Sequence, residues 1–357
     1  MGNTEYKVIG LMSGTSLDGL DIAFCTFRKT ENAWEYSINK AHTISYEESM
    51  KNWLRSIEIA SAVDYIKADN DFGAYLGRQV AGFMKEHNVI PDLVASHGHT
   101  IFHQPEKHFT AQIGSGNAIA AYTNTPVAFD FRSLDVALGG QGAPLVPIGD
   151  QLLFADYDFC LNLGGFANVS YVNKSSRIAY DICPVNIVMN AIASRSGKTY
   201  DNKGEIASKG MLSNYLFNEL NQLGFYKMAP DSPKSLGKEW VLSHLNPILN
   251  NYDLSDEDLL NTFCEHIAFQ IGKALKGKPK GKLVITGGGV YNDYLVSRIR
   301  ANTEHEIVIP DGLTIEYKEA LIFAFIGVLR LRNEVNCLKS VTGASRNSCC
   351  GVLVNVK

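Results

Sequence analysis

Residues 7–23 run K-V-I-G-L-M-S-G-T-S-L-D-G-L-D-I-A. An apolar run, residues 8–12, enters a tight segment of small and polar residues (Ser13, Gly14, Thr15, Ser16, Asp18, Gly19), and a second apolar run, 20–27, leaves it. The pattern predicts a β-hairpin whose turn is built to hold an anion. Gly14 and Gly19 let the backbone approach closely and take positive φ, the hydroxyls can donate, and turn amides without a ladder partner are free to point at phosphate oxygens. Asp18 and Asp21 supply the hard oxygens that a magnesium ion shares with phosphates. A polar turn closed by an Asx hydrogen bond has the same composition, so this stretch alone leaves phosphate binding open.

At 357 residues the chain has room for about two domains and a sizeable core. A net charge of -4 with no Lys/Arg block gives no footprint for nucleic acid. The N-terminus M-G-N-T-E-Y-K-V lacks a basic region followed by an apolar one, and Tyr6 stands where a myristoylation signal wants Ser or Thr. No run nears the roughly 18 apolar residues of a membrane span. Seven scattered cysteines without a C-x-x-C pair suit reduced thiols. The expectation is a cytoplasmic protein with neither nucleic acid nor membrane as partner.

Outward from the hairpin, residues 34–46 read as a third strand, and 51–62 and 66–86 as helices. A short buried strand, 93–96, delivers S-H-G-H-T (96–100) to the carboxyl end of an α/β sheet, the usual ligand crevice, where His97 can hydrogen-bond a substrate. His99, His103 and His108 fall nearby, but Gly98 and Pro105 break any helix that would present them together, and zinc is disfavoured. Strand 126–129 runs into D-F-R-S-L-D-V-A-L-G-G-Q-G-A-P-L (130–145). There Asp130, Arg132 and Asp135 before a glycine cluster read as a site loop, a guanidinium suiting a planar carboxylate, or else as a salt-bridged turn.

The second half begins like the first. Apolar residues 158–163 lead into the tight turn Gly164-Gly165-Phe166-Ala167-Asn168 and a returning strand, 169–172. Two hairpins of one design, half a chain apart, predict a duplicated fold with a nucleotide between the halves. Strand 177–181 ends in Y-D-I-C-P-V-N, where Asp181 is the candidate general base; capping the helix that starts near Pro184 is its alternative role. Residues 203–226 hold a helix, and P-D-S-P-K-S-L-G-K-E (230–239) reads as a loop whose Lys234 and Ser235 can reach a ligand. Strand 282–285 enters T-G-G-G-V-Y-N. There Gly287, Gly288 and Gly289 let a flat adenine lie on bare backbone, or permit close helix-to-strand packing. A helix over 317–332 carries Glu319 near its start.

With these blocks in order, I-G-L-M-S-G-T-S-L-D-G-L-D, S-H-G-H-T, residues 130–145, L-N-L-G-G-F-A-N, T-G-G-G-V-Y-N, E-A-L-I-F-A and S-V-T-G-A, the chain resembles the anhydro-N-acetylmuramic acid kinase family. The resemblance implies an α/β, two-lobed actin-like ATPase fold of duplicated ribonuclease H-like domains, with nucleotide and sugar in the interlobe cleft. The expected lobes are residues 1-140 with 336-357, and 141-335. It further implies ATP and Mg2+ as cofactors and a small amino sugar as substrate. ATP would contact Gly14, Thr15, Ser16, Leu17, Asp18, Gly19, Leu20 and Asp21 on the first hairpin, Gly164 and Gly165 on the second, and Gly287, Gly288, Gly289 and Asn292 at the adenosine. Asp18 and Asp21 would hold the metal, and His97, Arg132 and Glu319 the sugar. By the same resemblance Asp181 activates the water that opens the 1,6-anhydro ring and the freed 6-oxygen takes the phosphoryl group, in cell-wall sugar recycling; members of the family often pair, which makes a homodimer one possible state. The family pattern after the base is T-G-P-G-N, whereas here it is I-C-P-V-N. Cys183 and Val185 therefore replace two glycines, which leaves a kinase for another amino sugar, or a catalytically silent nucleotide-binding member of the fold, as alternatives.

Overall fold

Strands β1 (Glu5–Ser13) and β2 (Gly19–Lys29) pair antiparallel down to Ser13 opposite Leu20, so the hairpin read from the sequence is present. The computed structural model describes residues 4–31, 33–228 and 234–356, so the M-G-N start and residues 230–233 of the expected ligand loop lie outside the described residues. β3 (Trp34–Ser45) adds antiparallel to β2. Gly19 is a packing requirement of that meander, since a Cβ there would stand 2.4 Å from the Ile44 carbonyl oxygen. β4 (Leu93–Gln104) runs parallel to β1, β5 (Phe109–Ile113) folds back antiparallel on β4, and β6 (Val127–Phe129) lies parallel to β4. S-H-G-H-T thus lies inside β4, where the expectation had a loop after a short strand. The β5 pairing supplies the ladder that prolongs it.

The helix Ala62–His87 covers this sheet. Ser61 accepts from the Asp64 N–H at its start and Asn88, at φ 51°, closes it. Its Phe72, Leu76 and Val80 are buried with Ile9, Leu11 and Val94 of the strands. At about 25 cal/mol per Å² such apolar burial is the main term holding helix to sheet.

The second sheet repeats the first. β7 (Phe159–Leu163), β8 (Phe166–Asn173) and β9 (Ser176–Pro184) form an antiparallel meander, and β10 (Lys282–Thr286) and β11 (Glu306–Val308) continue parallel to β7 and to each other. Its order is β11-β10-β7-β8-β9, and the first sheet reads β6-β4-β1-β2-β3 before the last strand of the chain, Val352–Val354, joins β6. Third, second, first, fourth, next: both halves follow one topology, the duplication expected from the paired hairpins. The helix Asp256–Leu275, capped by Ser255, buries Phe263, Ile267 and Ile271 in this second core.

The helix expected within residues 203–226 is present but short. Lys203 and Gly204 take positive φ (55° and 75°), Gly210 packs where a Cβ would meet the Glu257 carbonyl, and only Asn214–Asn221 is α-helical. The chain divides into Met1–Phe154 with Tyr317–Lys357, and Ala155–Glu316. The divisions fall after the expected 140/141 and before 335/336, the second at Tyr317, whose φ of −112° interrupts the helix Gly312–Leu331.

Candidate functional site

In the first unit the hairpin turn closes with the Leu17 N–H donating to the Gly14 carbonyl at 3.1 Å. The positive φ expected of Gly14 and Gly19 falls instead on Leu17, at 62°. A left-handed non-glycine residue is strained by roughly 1–2 kcal/mol, offset here because the Leu17 side chain is buried in the core. Of the turn hydroxyls, Ser13 points inward: it accepts from Tyr46 OH at 2.8 Å and lies 3.0 Å from His99 Nδ1. Thr15, Ser16 and Asp18 remain exposed. Asp21 sits one pair into the ladder, between Met12 and Thr43, and the Thr43 hydroxyl donates to its Oδ1 at 2.6 Å.

His97 is buried and neutral. Burial, then the Arg132 charge, holds its pKa well below the usual imidazole range. Its Nδ1–H donates to the Gly98 carbonyl at 2.9 Å, so Nε2 is the acceptor for Arg132 Nε (3.0 Å) and Nη2 (2.8 Å). Arg132 Nη1 donates to the Gly142 carbonyl at 2.6 Å. Among the described residues three of its five N–H groups are engaged, which leaves one on each terminal nitrogen for a ligand. Both His97 nitrogens are therefore occupied, and one of them fixes the Arg132 guanidinium. Burial lowers the Arg132 pKa to about 10, with Glu319 chief among the groups opposing that. Glu319 keeps exposed surface, yet desolvation raises its carboxyl pKa, Asp21 adding to the rise and Arg132 and Lys318 opposing it. Asp21, Arg132 and Glu319 thus share one electrostatic neighbourhood.

Asp130 and Asp135 are structural. Asp130 accepts from the Ser133 hydroxyl at 2.6 Å. Asp135, fully buried, takes the Gly142 N–H at 2.8 Å, the Thr342 hydroxyl at 2.8 Å and the Cys337 thiol at 3.0 Å, which ties S-V-T-G-A to the glycine loop beside Arg132.

In the second unit a bulge at Ile182 decides where Asp181 points. Ala167 pairs with Cys183 and Asn168 with Asp181, so one extra residue of β9 lies between the two pairs. Without it Asp181 and Cys183, two apart, would share a face. With it Cys183 turns inward beside Ala167, and Asp181 faces the half-open side with Asn168. Burial pushes the Asp181 pKa up to about 6, and the Leu236 N–H, donating to Oδ2 at 2.8 Å, restrains the rise.

Gly164 and Gly165 accept from the start of the helix Asn186–Arg195, through Asn186 N–H to Gly164 at 3.2 Å and Val185 N–H to Gly165 at 2.8 Å. A Cβ on Gly165 would meet nothing within 4 Å, so that face of the residue is open. The three-glycine loop divides in role. Gly287, at φ 86°, would put a Cβ 2.6 Å from Asn162 Oδ1, and Gly289 one 2.8 Å from Leu163 Cβ, so both are packing glycines; only Gly288 is exposed. Asn292 uses its Oδ1 to cap the following helix at Leu295 N–H, 2.8 Å.

Sequence reasoning missed Asn162 and Asn168. In cross-strand register Asn162, Asn168 and Asp181 form one row over β7, β8 and β9, as Met12, Asp21 and Thr43 do over β1, β2 and β3. Each row begins one pair before its turn (Ser13 with Leu20, Leu163 with Ala167), so counting back from the two hairpins would have found them. Among the described residues no three His, Cys, Asp or Glu side chains gather as a metal site. Magnesium needs fewer: one or two carboxylates beside phosphate oxygens suffice, and the exposed Asp18 with Asp21 fits that donor set. No helix of the described residues is long and apolar enough to cross a membrane.

A family model for anhydro-N-acetylmuramic acid kinase matches residues 6–356. The chain belongs to the anhydro-N-acetylmuramic acid kinase family. Relatives of that name include one from Vibrio vulnificus (strain YJ016), 32% identical over 376 residues and covering 98% of this chain and 99% of its own. Another, from Clostridioides difficile (strain 630), is 34% identical over 365 residues, covering 94% and 95%. Among solved structures, the activator of the 2-hydroxyisocaproyl-CoA dehydratase from Clostridium difficile with bound ADPNP is similar at 12% identity and a TM-score of 0.43, covering 90% of this chain and 94% of that one. Against the anhydro-N-acetylmuramic acid kinase pattern, the side chains of Cys183 and Val185 enter the second core, both 0% exposed, and neither takes positive φ.

Proposed function

We propose that this anhydro-N-acetylmuramic acid kinase family member opens the 1,6-anhydro ring of anhydro-N-acetylmuramic acid with water and phosphorylates its 6-oxygen with ATP. The product is N-acetylmuramic acid 6-phosphate, recovered from cell-wall turnover. The observation that carries the reading is Asp181, a half-open carboxyl raised to about 6, ionised at neutral pH and still basic enough to take a proton. Asp181 accepts the proton of a water as that water's oxygen bonds the anomeric carbon. The bond from this carbon to the 6-oxygen breaks, and the 6-oxygen receives the phosphoryl group.

Arg132, with an N–H left on each terminal nitrogen, suits the carboxylate of the muramic lactyl group, and His97 keeps it aimed. The exposed Thr15 and Ser16 hydroxyls and the open faces of Gly165 and Gly288 suit phosphate and adenosine contact. Asp18 and Asp21 would hold magnesium, which supplies charge neutralisation on the transferring group. The core placement of Cys183 and Val185 removes the motive for a silent member, and the restrained, raised Asp181 favours an active one.

The test is incubation with magnesium ATP and the anhydro sugar in ¹⁸O-water, followed by phosphorus NMR and mass spectrometry. One phosphoryl group and one labelled oxygen at the anomeric position are expected. ATP binding without product would refute the activity, and turnover only of a different amino sugar would refute the substrate.

A further inference from the structure

β9 is the outer strand of its sheet, and an outer strand leaves backbone N–H groups without a ladder. At residue 181 this edge is met by a short segment from far along the chain. Asp181 N–H donates to the Lys234 carbonyl at 3.0 Å, and Leu236 N–H returns a hydrogen bond to Asp181 Oδ2 at 2.8 Å. Two bonds on either side of Ser235 fix both the backbone and one carboxyl oxygen of the same residue. Lys234 is itself anchored, its ammonium lying 4.7 Å from the Phe225 ring centre and 5.6 Å from that of Tyr180, the neighbour of Asp181.

The other titratable groups at this corner come from three elements. Cys183 shares β9 and Tyr226 lies in the turn Gly224–Lys227, both pushed up by burial and so neutral. Lys273, from the helix Asp256–Leu275, donates to the Tyr226 carbonyl at 2.9 Å. Among the described residues, burial and the Leu236 N–H are what move the Asp181 carboxyl, and no second carboxylate adds to them.

We propose that residues 234–236 act as a positioning strap for the base: the Leu236 N–H holds Oδ2 in place, Oδ1 takes the proton, and the Lys234 ammonium on its two rings keeps the strap in register. This rests on the reading of Asp181 as the base, and it assigns a role to backbone that the sequence offered only as a direct ligand contact.

The test titrates the Asp181 carboxyl by NMR in protein labelled with ¹³C-aspartate, the resonance assigned with Asp181→Asn, in the absence of sugar. Leu236→Pro removes the N–H and keeps an apolar side chain. Losing a hydrogen bond to a charged group should move the midpoint up by about one pH unit and lower kcat/KM at pH 6 several-fold, with the KM for ATP unchanged. Leu236→Ala, which retains the N–H, should titrate like the parent. Lys234→Met should shift the midpoint in the same direction and Lys234→Arg should restore it. An unmoved midpoint in Leu236→Pro overturns the strap; should that variant fail to fold, an unmoved midpoint in Lys234→Met does so. Because the titration needs no substrate, a shifted midpoint beside an inactive sugar assay would reject the proposed reaction and keep the strap.

Discussion

Restoring the family glycines is the sharpest test of where Cys183 and Val185 point. Both are 0% exposed and packed into the second core, so Cys183→Gly and Val185→Gly empty core volume and open no ligand space. For Val185→Gly the lost burial is roughly 1.5–3 kcal/mol, and glycine's extra freedom in the unfolded chain adds roughly 0.5–1 kcal/mol. The sum is about 3 kcal/mol. In a unit the size of Ala155–Glu316 each kcal/mol lowers Tm by roughly 2–4 °C, so a fall of roughly 6–12 °C is expected. Cys183→Gly loses less, having less apolar surface. Differential scanning calorimetry reads the stability, and initial rates at varied sugar and ATP give both KM values, which should stay within about twofold of the parent. A tenfold improvement in either KM with Tm unchanged would refute the placement, because it would mean the two side chains stood in the path of a ligand.

Asp181→Asn should lower kcat by about 10²–10⁴ while leaving ATP affinity by calorimetry intact. In the parent, kcat/KM should fall tenfold per unit of pH below about 6, where the base becomes protonated; a flat profile there would exclude it. The same group gives an opposite stability signature. Its folded pKa lies above the unfolded value near 3.8, so it disfavours folding as pH rises through about 6, and Asp181→Asn should raise Tm at neutral pH with the gain vanishing below about pH 4. Gly287→Ala should fold poorly, its Cβ driven against Asn162 and Leu163 at φ 86°, whereas Gly165→Ala should keep its Tm and raise the KM for ATP; the reverse pairing would undo the division of roles. Asp18→Asn, exposed and without structural duty beyond its backbone, should shift the magnesium dependence of turnover and leave Tm unchanged.

The duplicated meander was legible because each hairpin announces itself locally: an apolar run, small turn residues, a second run. Asp181 was legible as an acid at a strand end. What could not be read is what distant partners do to a residue. Leu17 rather than a glycine takes the left-handed turn position because the core holds its side chain. His97 looked like a ligand, yet Arg132, 35 positions on, claims its acceptor nitrogen. Gly287 and Gly289 could be read as nucleotide contacts or as packing glycines, because a glycine's sequence does not say which backbone approaches it; here Leu163 does. The Leu236 N–H belongs to the backbone, which no side-chain pattern encodes.

The matched rows across the two sheets differ in which strand carries their one acid. On the middle strand one half carries Asp21 and its copy carries Asn168; on the third strand the order inverts, Thr43 against Asp181. Each row therefore holds a single acid among neutral residues, at the middle strand in the first copy and at the outer strand in the second, so negative charge is never doubled within a row. On the proposed reading, that separation leaves one row to favour a cation and the other to keep a proton acceptor.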